Sequence, residues 1–320
     1  MKRLMSKILV LVIILGTLSG CVPRSRNVIV TNYPIQFLVE RLAGERVNVQ
    51  RIDTGLIPQQ ATVKDDFQEI IKKADTIFYI NELQPYWQLY LDDLQNSKLQ
   101  MIDLSERSML YPFKRYTNVV VDGQSHAIES AYYESEAFAA VDQYDKDPFL
   151  WMDPLAMTSM ARTIKDWLVQ TYPDEEAYFT EQFEVLEVEL TGLQAQYQLL
   201  RDSEKGIKFV SMTPSFGNWQ KSYNIGVYPA TLSKYGVLPD EEMLNAIRSR
   251  IAKDGVQYIA YEENMPEEYV KLFNQLKTEF NLTQIELSNL YNLSDKDIEA
   301  NYDYIAKMRL NLETLETIAK

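Results

Sequence analysis

Asp147-Pro148-Phe149-Leu150-Trp151-Met152-Asp153-Pro154 is the stretch that divides this chain. Upstream of it, short apolar runs alternate with amphipathic segments; downstream, a long helical region begins. Asp153 is of the type that caps a helix, and Pro154 suits the first helical position. A helix is therefore predicted from there to about Thr171. A second long helix restarts at Pro173-Asp174 and runs through about Arg201. Phe183, Leu186 and Leu190 recur along it at helical spacing and mark a core face.

Working back toward the N-terminus, strands are predicted at 28–30, 47–52, 76–80 and 99–104. Helices fall between them at 34–42, 65–74 and 86–94. Beyond the two long helices the same rhythm returns. Strands are expected at 208–212, 227–232, 257–261 and 284–287, with helices at 214–223, 240–252 and 267–280 and a closing helix over 296–318. Strands alternating with helices indicate parallel βαβ units. The expected fold is α/β: two lobes, each a parallel sheet flanked by helices, joined by one long linking helix. Residues 105–148 break the rhythm. Rich in Asp, Glu, Ser and Tyr, they read as a long surface excursion with a hairpin around Asp122-Gly123, and they carry His126, the only histidine of the chain.

The opening segment has a different character. Lys2, Arg3 and Lys7 precede an apolar run from Ile8 to Leu15, then Leu18-Ser19-Gly20-Cys21. A charged start, a short apolar core and small residues before a cut site make a secretory signal, too short for a spanning helix, which needs about 20 residues. Leu-Ser-Gly-Cys resembles a bacterial lipobox, in which the cysteine receives lipid, palmitate among its acyl chains. Cys21 is the only cysteine, so no internal disulfide competes for it. The expected organisation is a signal peptide over 1–20, a lipidated Cys21 and tether over 21–27, and an N-terminal lobe over 28–152 with the acidic loop 105–148. A linking helix over 153–172 and a C-terminal lobe over 173–320 follow. The expected location is extracytoplasmic, on the cell membrane through the lipid anchor.

The formal charge of −14 argues against nucleic acid and against a polybasic membrane contact. With one histidine and an acylated cysteine, no Ser-His-Asp or Cys-His arrangement can form around a cleft imidazole. No phosphate-binding or dinucleotide-binding glycine loop occurs, and Ser215 lacks the glycines of a nucleophile elbow. An enzyme is not expected.

Ligands of open parallel sheets sit beyond the carboxyl ends of the strands. Those positions hold Thr31-Asn32-Tyr33-Pro34, Gly55-Leu56-Ile57-Pro58-Gln59-Gln60, the dividing stretch, Ser211-Met212-Thr213-Pro214-Ser215-Phe216-Gly217 and Tyr261-Glu262-Glu263-Asn264. In this order and spacing they resemble the zinc/manganese solute-binding lipoproteins of bacterial ABC importers. Lys73-Ala74-Asp75, Glu82 with Trp87, and Asn311-Leu312 in the closing helix add to the resemblance, which spans Val28 to the end. It implies a monomer serving an ABC permease and ATPase, with a divalent zinc or manganese ion as cargo. Three histidines and one acid hold that ion in the family. Here the first histidine position falls between Ile57 and Gln60, most naturally on Gln59, the second on Phe149 and the third on Thr213. Only the acid is kept, as Glu262 with Glu263 beside it.

The resemblance thus implies a cleft lined by Tyr33, Gln59, Gln60, Phe149 and Trp151, and by Thr213, Phe216, Glu262 and Glu263 from the second lobe. Of these Glu262 is the one retained metal position. Phenylalanine donates nothing to zinc, and Gln or Thr oxygens suit harder ions weakly. His126, within the acidic loop, brings a single imidazole and no partner set. Tyr33, Phe149, Trp151, Phe216 and Trp219 either wall a pocket for an organic solute or pack between the lobes. Two functions follow: an importer component, for a metal or an organic solute, or a non-transporting interaction lipoprotein of the accessory or adhesin type.

Overall fold

A computed structural model of the chain describes residues 26–113, 116–121, 124–129, 135–201, 206–263 and 265–319, with only the backbone for 116–121 and 124–129. Cys21 and the signal segment lie outside the described residues, as do Asp122-Gly123 and the His126 side chain. Two four-stranded parallel sheets form the framework. The first comprises β1 (Asn27–Val30), β2 (Asn48–Arg51), β5 (Thr76–Tyr79) and β6 (Gln100–Asp103), in the order β2-β1-β5-β6. A two-residue antiparallel pair, β3 (Asp53–Thr54) and β4 (Thr62–Val63), carries the loop that follows β2. β7 (Tyr116–Val121) and β8 (Gln124–Glu129) pair antiparallel, with His126 opposite Val119. The second sheet comprises β9 (Lys208–Ser211), β10 (Gly226–Pro229), β11 (Tyr258–Tyr261) and β12 (Thr283–Glu286), in the order β10-β9-β11-β12.

The helices of the first lobe are α1 (Tyr33–Ala43), α2 (Phe67–Lys73) and α3 (Trp87–Gln95). Val28, Ile29 and Val30 are all buried, as befits a parallel strand covered on both faces. α1 starts where Asn32 Oδ1 accepts from Ile35 N at 3.0 Å and Pro34 sets the first turn. α4 (Pro154–Thr171) is the linking helix, entered from a short 3₁₀ turn at Leu150–Met152, and α5 (Glu176–Leu200) packs along it. The second lobe adds α6 (Gly217–Tyr223), α7 (Glu241–Asp254), α8 (Glu267–Glu279), α9 (Asp295–Glu299) and α10 (Tyr304–Ile318). Tyr197 of α5 donates to the Met308 carbonyl at 2.7 Å, so α5 and α10 share one core.

The start of α4 is fixed by side chains. Asp153 Oδ1 accepts from Leu155 N, and its Oδ2 accepts from Ser222 Oγ, each at 2.8 Å. The same carboxylate thereby caps the linking helix and holds α6 of the second lobe. Asp153→Ala is expected to cost about 1–2 kcal/mol, read as a lower denaturant midpoint. An unchanged midpoint would assign the helix start to packing alone.

Two regions differ from expectation. The closing helix is broken into α9 and α10: Asn301 takes a left-handed φ of 56°, and Asp303 caps a new helix by accepting from Ala306 N at 2.9 Å. Asn301 and Asp303, residues suited to a left-handed turn and to a helix cap, supplied that break. The excursion 105–148 is also anchored more firmly than its composition suggested. Phe113, Phe138 and Tyr144 are buried, and Tyr144 OH donates to the Leu83 carbonyl at 2.9 Å. Three aromatics without a period hold an otherwise acidic segment on the body.

Candidate functional site: the crevice between the lobes

The two parallel sheets turn their carboxyl ends toward each other, and Glu262, directly after β11, lies at the centre with no accessible surface. Its Oε1 accepts from the backbone N–H groups of Met212 and Thr213, each at 3.0 Å. Its Oε2 accepts from Thr213 Oγ1 at 2.6 Å and from Asn289 Nδ2 at 2.9 Å. Burial pushes the Glu262 carboxyl above the usual carboxylate range, and these four bonds pull partly against it. Thr213, at a position where the resemblance places a ligand, is thus a donor to the acid. The Thr213 hydroxyl also lies 2.8 Å from Ser215 Oγ.

Asn289 extends this network to the linking segment. Its carbonyl accepts from Trp151 Nε1 at 2.8 Å. Trp151 meets Phe149 edge-on at 5.5 Å between ring centroids, and Phe149 meets Tyr144 at 5.8 Å. Phe216 packs on Trp219 at 4.9 Å, and Trp219 Nε1 donates to the Met152 carbonyl at 2.8 Å. Phe149, Trp151, Phe216 and Trp219 are fully buried. These aromatics pack against one another, and their polar atoms are spent on backbone carbonyls.

The remaining predicted residues are dispersed. Gln59 is 4% exposed and lies against Gly236, whose φ of +71° favours glycine and where a Cβ would press on Gln59 Cβ and Tyr269 OH. Gln60 is exposed and donates across the lobes to Glu268 Oε1 at 2.7 Å. Tyr33 is half-buried, its N–H donating to the Tyr291 carbonyl at 3.4 Å. Glu263 points away from Glu262's partners, toward Lys307 at 3.7 Å, and lines a separate cavity of about 340 Å³ with Glu286 and Asn311.

Sequence reasoning found Gln60 but missed the buried ion pair that bridges the lobes. Arg51 Nε donates to Asp53 Oδ1 at 2.6 Å, and Asp53 is 2% exposed. Tyr291 OH donates to the other Asp53 oxygen, Arg51 Nη1 to Asn292 Oδ1, and Asn292 Nδ2 to the Gly55 carbonyl. The available signal was position: Arg51 closes β2, Asp53 comes just beyond it, and Tyr291-Asn292 lie past the carboxyl end of β12.

These donors do not fit a zinc or manganese cargo at the inherited position. Such an ion needs lone pairs at about 2.0–2.2 Å, and those of Glu262 are engaged by four hydrogen bonds. Phe149 offers none. Among the described residues, no group of three or more His, Cys, Asp or Glu side chains is placed to hold a metal ion. No described helix is long and apolar enough to cross a membrane.

The family model described as "Zinc-uptake complex component A periplasmic" matches residues 28–318. "Zinc-binding protein AdcA" of Streptococcus pyogenes serotype M3 is 25% identical over 302 residues, covering 90% of this chain and 55% of that protein. The chain therefore spans about half the length of the curated relatives it matches. Among solved structures, the Zn(II)-bound ZnuA-like domain of Streptococcus pneumoniae AdcA aligns with TM-score 0.68 and 24% identity, over 92% of this chain and 98% of that one. The laminin-binding adhesin Lmb of Streptococcus agalactiae, in a mutant form, aligns with TM-score 0.72 and 19% identity, over 92% and 99%. These structures share the fold.

Proposed function

The chain belongs to the zinc-uptake complex component A family, and from that premise we propose an extracytoplasmic solute-binding component of an ABC importer whose cargo is not zinc or manganese. The family is one of transport components rather than enzymes. In this reading Cys21 carries the lipid anchor, lobes over 28–152 and 173–320 enclose the solute, and a permease and ATPase complete the importer. Tyr33, Gln59, Gln60, Phe149, Trp151, Thr213, Phe216, Glu262 and Glu263 belong to the cleft, with Glu262 as a structural carboxylate. The observation that carries the reading is the saturation of Glu262 by Met212, Thr213 and Asn289.

Calorimetric titration with Zn²⁺ and Mn²⁺, paired with elemental analysis of the purified protein, tests it. The expected result is no stoichiometric binding tighter than about 10 µM, since a site of this donor set lacks the nitrogen or sulfur ligands that zinc requires. Stoichiometric metal that disappears in Glu262→Ala would restore a metal cargo.

A second reading, a non-transporting interaction lipoprotein, is favoured by the bonds of Arg51 and Asp53 to Asn292 and Tyr291, which tie the lobes shut. Solute binding of any kind decides between the two.

A further inference from the structure

Thr31 Oγ1, Asn32 Nδ2, Gln84 Oε1, Tyr86 OH and both amide atoms of Gln59 are buried without a hydrogen-bond partner. None of these residues is more than 4% exposed. Buried polar groups are nearly always paired, and each exception needs a reason. These share one location. Thr31 and Asn32 follow β1, Gln84 and Tyr86 follow β5, and Gln59 lies in the loop carried by β3 and β4. All stand beyond the carboxyl ends of the first lobe's strands, where open parallel sheets take their ligands.

Contacts connect them. Gln84 Nε2 donates to the Thr31 carbonyl at 2.9 Å, so its Oε1 is turned the other way. Tyr86 stands two residues beyond Gln84 after the same strand, and its hydroxyl is buried beside no partner. Gln59 lies against Gly236 of the second lobe, whose carbonyl accepts from Tyr269 OH at 3.1 Å. The set therefore stands at the carboxyl end of the first sheet, with Gln59 meeting the second lobe at Gly236.

The chemistry of the set defines the ligand. Every unpartnered atom is neutral: two hydroxyls, two amide NH₂ groups and two amide oxygens. The charges beside them are already matched, Asp53 by Arg51 and Tyr291, Glu262 by its four donors. A charged solute would meet no free counter-charge and would lose its hydration. An alcohol hydroxyl both donates and accepts, so a ligand built of hydroxyls alone serves all these atoms.

We propose that the crevice binds a small uncharged polyol or sugar, with Gln59, Gln84 and Tyr86 as its principal hydrogen-bonding residues. This rests on the solute-binding reading above and names its substrate class. Entry requires the lobes to part, breaking the Arg51–Asn292 and Asp53–Tyr291 bonds.

The test is thermal melting of the full-length lipoprotein in detergent with millimolar myo-inositol, D-glucose or maltose, and separately with Zn²⁺ or Mn²⁺. Wild type, Gln59→Leu and Tyr86→Phe are compared. Each variant removes only unpartnered atoms, so the ligand-free melting temperature should hold or rise. The expected result is a rise of about 3 °C or more with at least one of the three solutes, and at least tenfold weaker binding in both variants. No shift with any of the three, or equal shifts in wild type and variants, overturns the proposal and leaves these atoms to buried water. A shift with metal instead overturns the reading of the cargo as well. Silence in both arms removes the polyol and leaves the exclusion of metal standing.

Discussion

Glu262→Ala is expected to destabilise the protein by about 3–5 kcal/mol, because it strands three buried N–H donors that have no other acceptor. Met212 N, Thr213 N and Asn289 Nδ2 all face the lost carboxylate, whereas Thr213 Oγ1 can turn toward Ser215. The melting temperature should fall on the order of 10 °C. A residue whose sole task was to hold a transported ion would give the opposite result, since an uncompensated buried charge costs stability and its removal relieves the cost.

The pH dependence carries a second signature of the same carboxylate. Burial raises its folded-state pKa, with the four bonds offsetting part of the rise. The folded protein therefore holds this proton to higher pH than the unfolded chain, whose glutamates titrate near about 4.3. The Glu262 contribution is complete below that value and declines as pH climbs through the folded pKa. Glu262→Gln lacks the titration. The stability advantage of wild type over Glu262→Gln should be largest in acid and shrink toward neutral pH, measured as melting temperature against pH. A gap that widens with pH would mean that the bonds, not the burial, govern the group.

The alternation of strands and amphipathic helices was legible because central strands, as at 28–30, are apolar and the helices carry one apolar face. Glu262 was legible as an acid after a strand. Its role was not, because the partners that saturate it lie at Thr213 and Asn289, joined to it only by sheet order. Arg51 and Asp53 were hidden for a related reason. Charges at alternate positions around an apolar residue read as a solvated strand face, yet here the second lobe covers that face with Tyr291 and Asn292. Gln59 was singled out through the resemblance, as the place of the family's first histidine. Its buried, unpartnered amide lies where the second lobe approaches through Gly236, which no local pattern encodes.

Asp53→Ala and Arg51→Ala are each expected to lose about 3–5 kcal/mol, the usual penalty for leaving one member of a buried ion pair uncompensated. Arg51 and Asp53 side chains are 15% and 0% exposed, so solvent screens the pair little. The double replacement Arg51→Met with Asp53→Leu should recover most of that loss, because it removes both charges and keeps the volume. Its effect on lobe closure should be different. The double variant has lost the donor to Asn292 and the acceptor for Tyr291, so the ties between the lobes are cut although the fold is stable. Chemical denaturation together with small-angle scattering separates the two consequences: stability near wild type, and a larger radius of gyration. A double variant as compact as wild type would show that Trp151–Asn289 and Gln60–Glu268 suffice to hold the crevice shut. A double variant as unstable as the singles would place the cost in the stranded Tyr291 hydroxyl and Asn292 amide rather than in the charges.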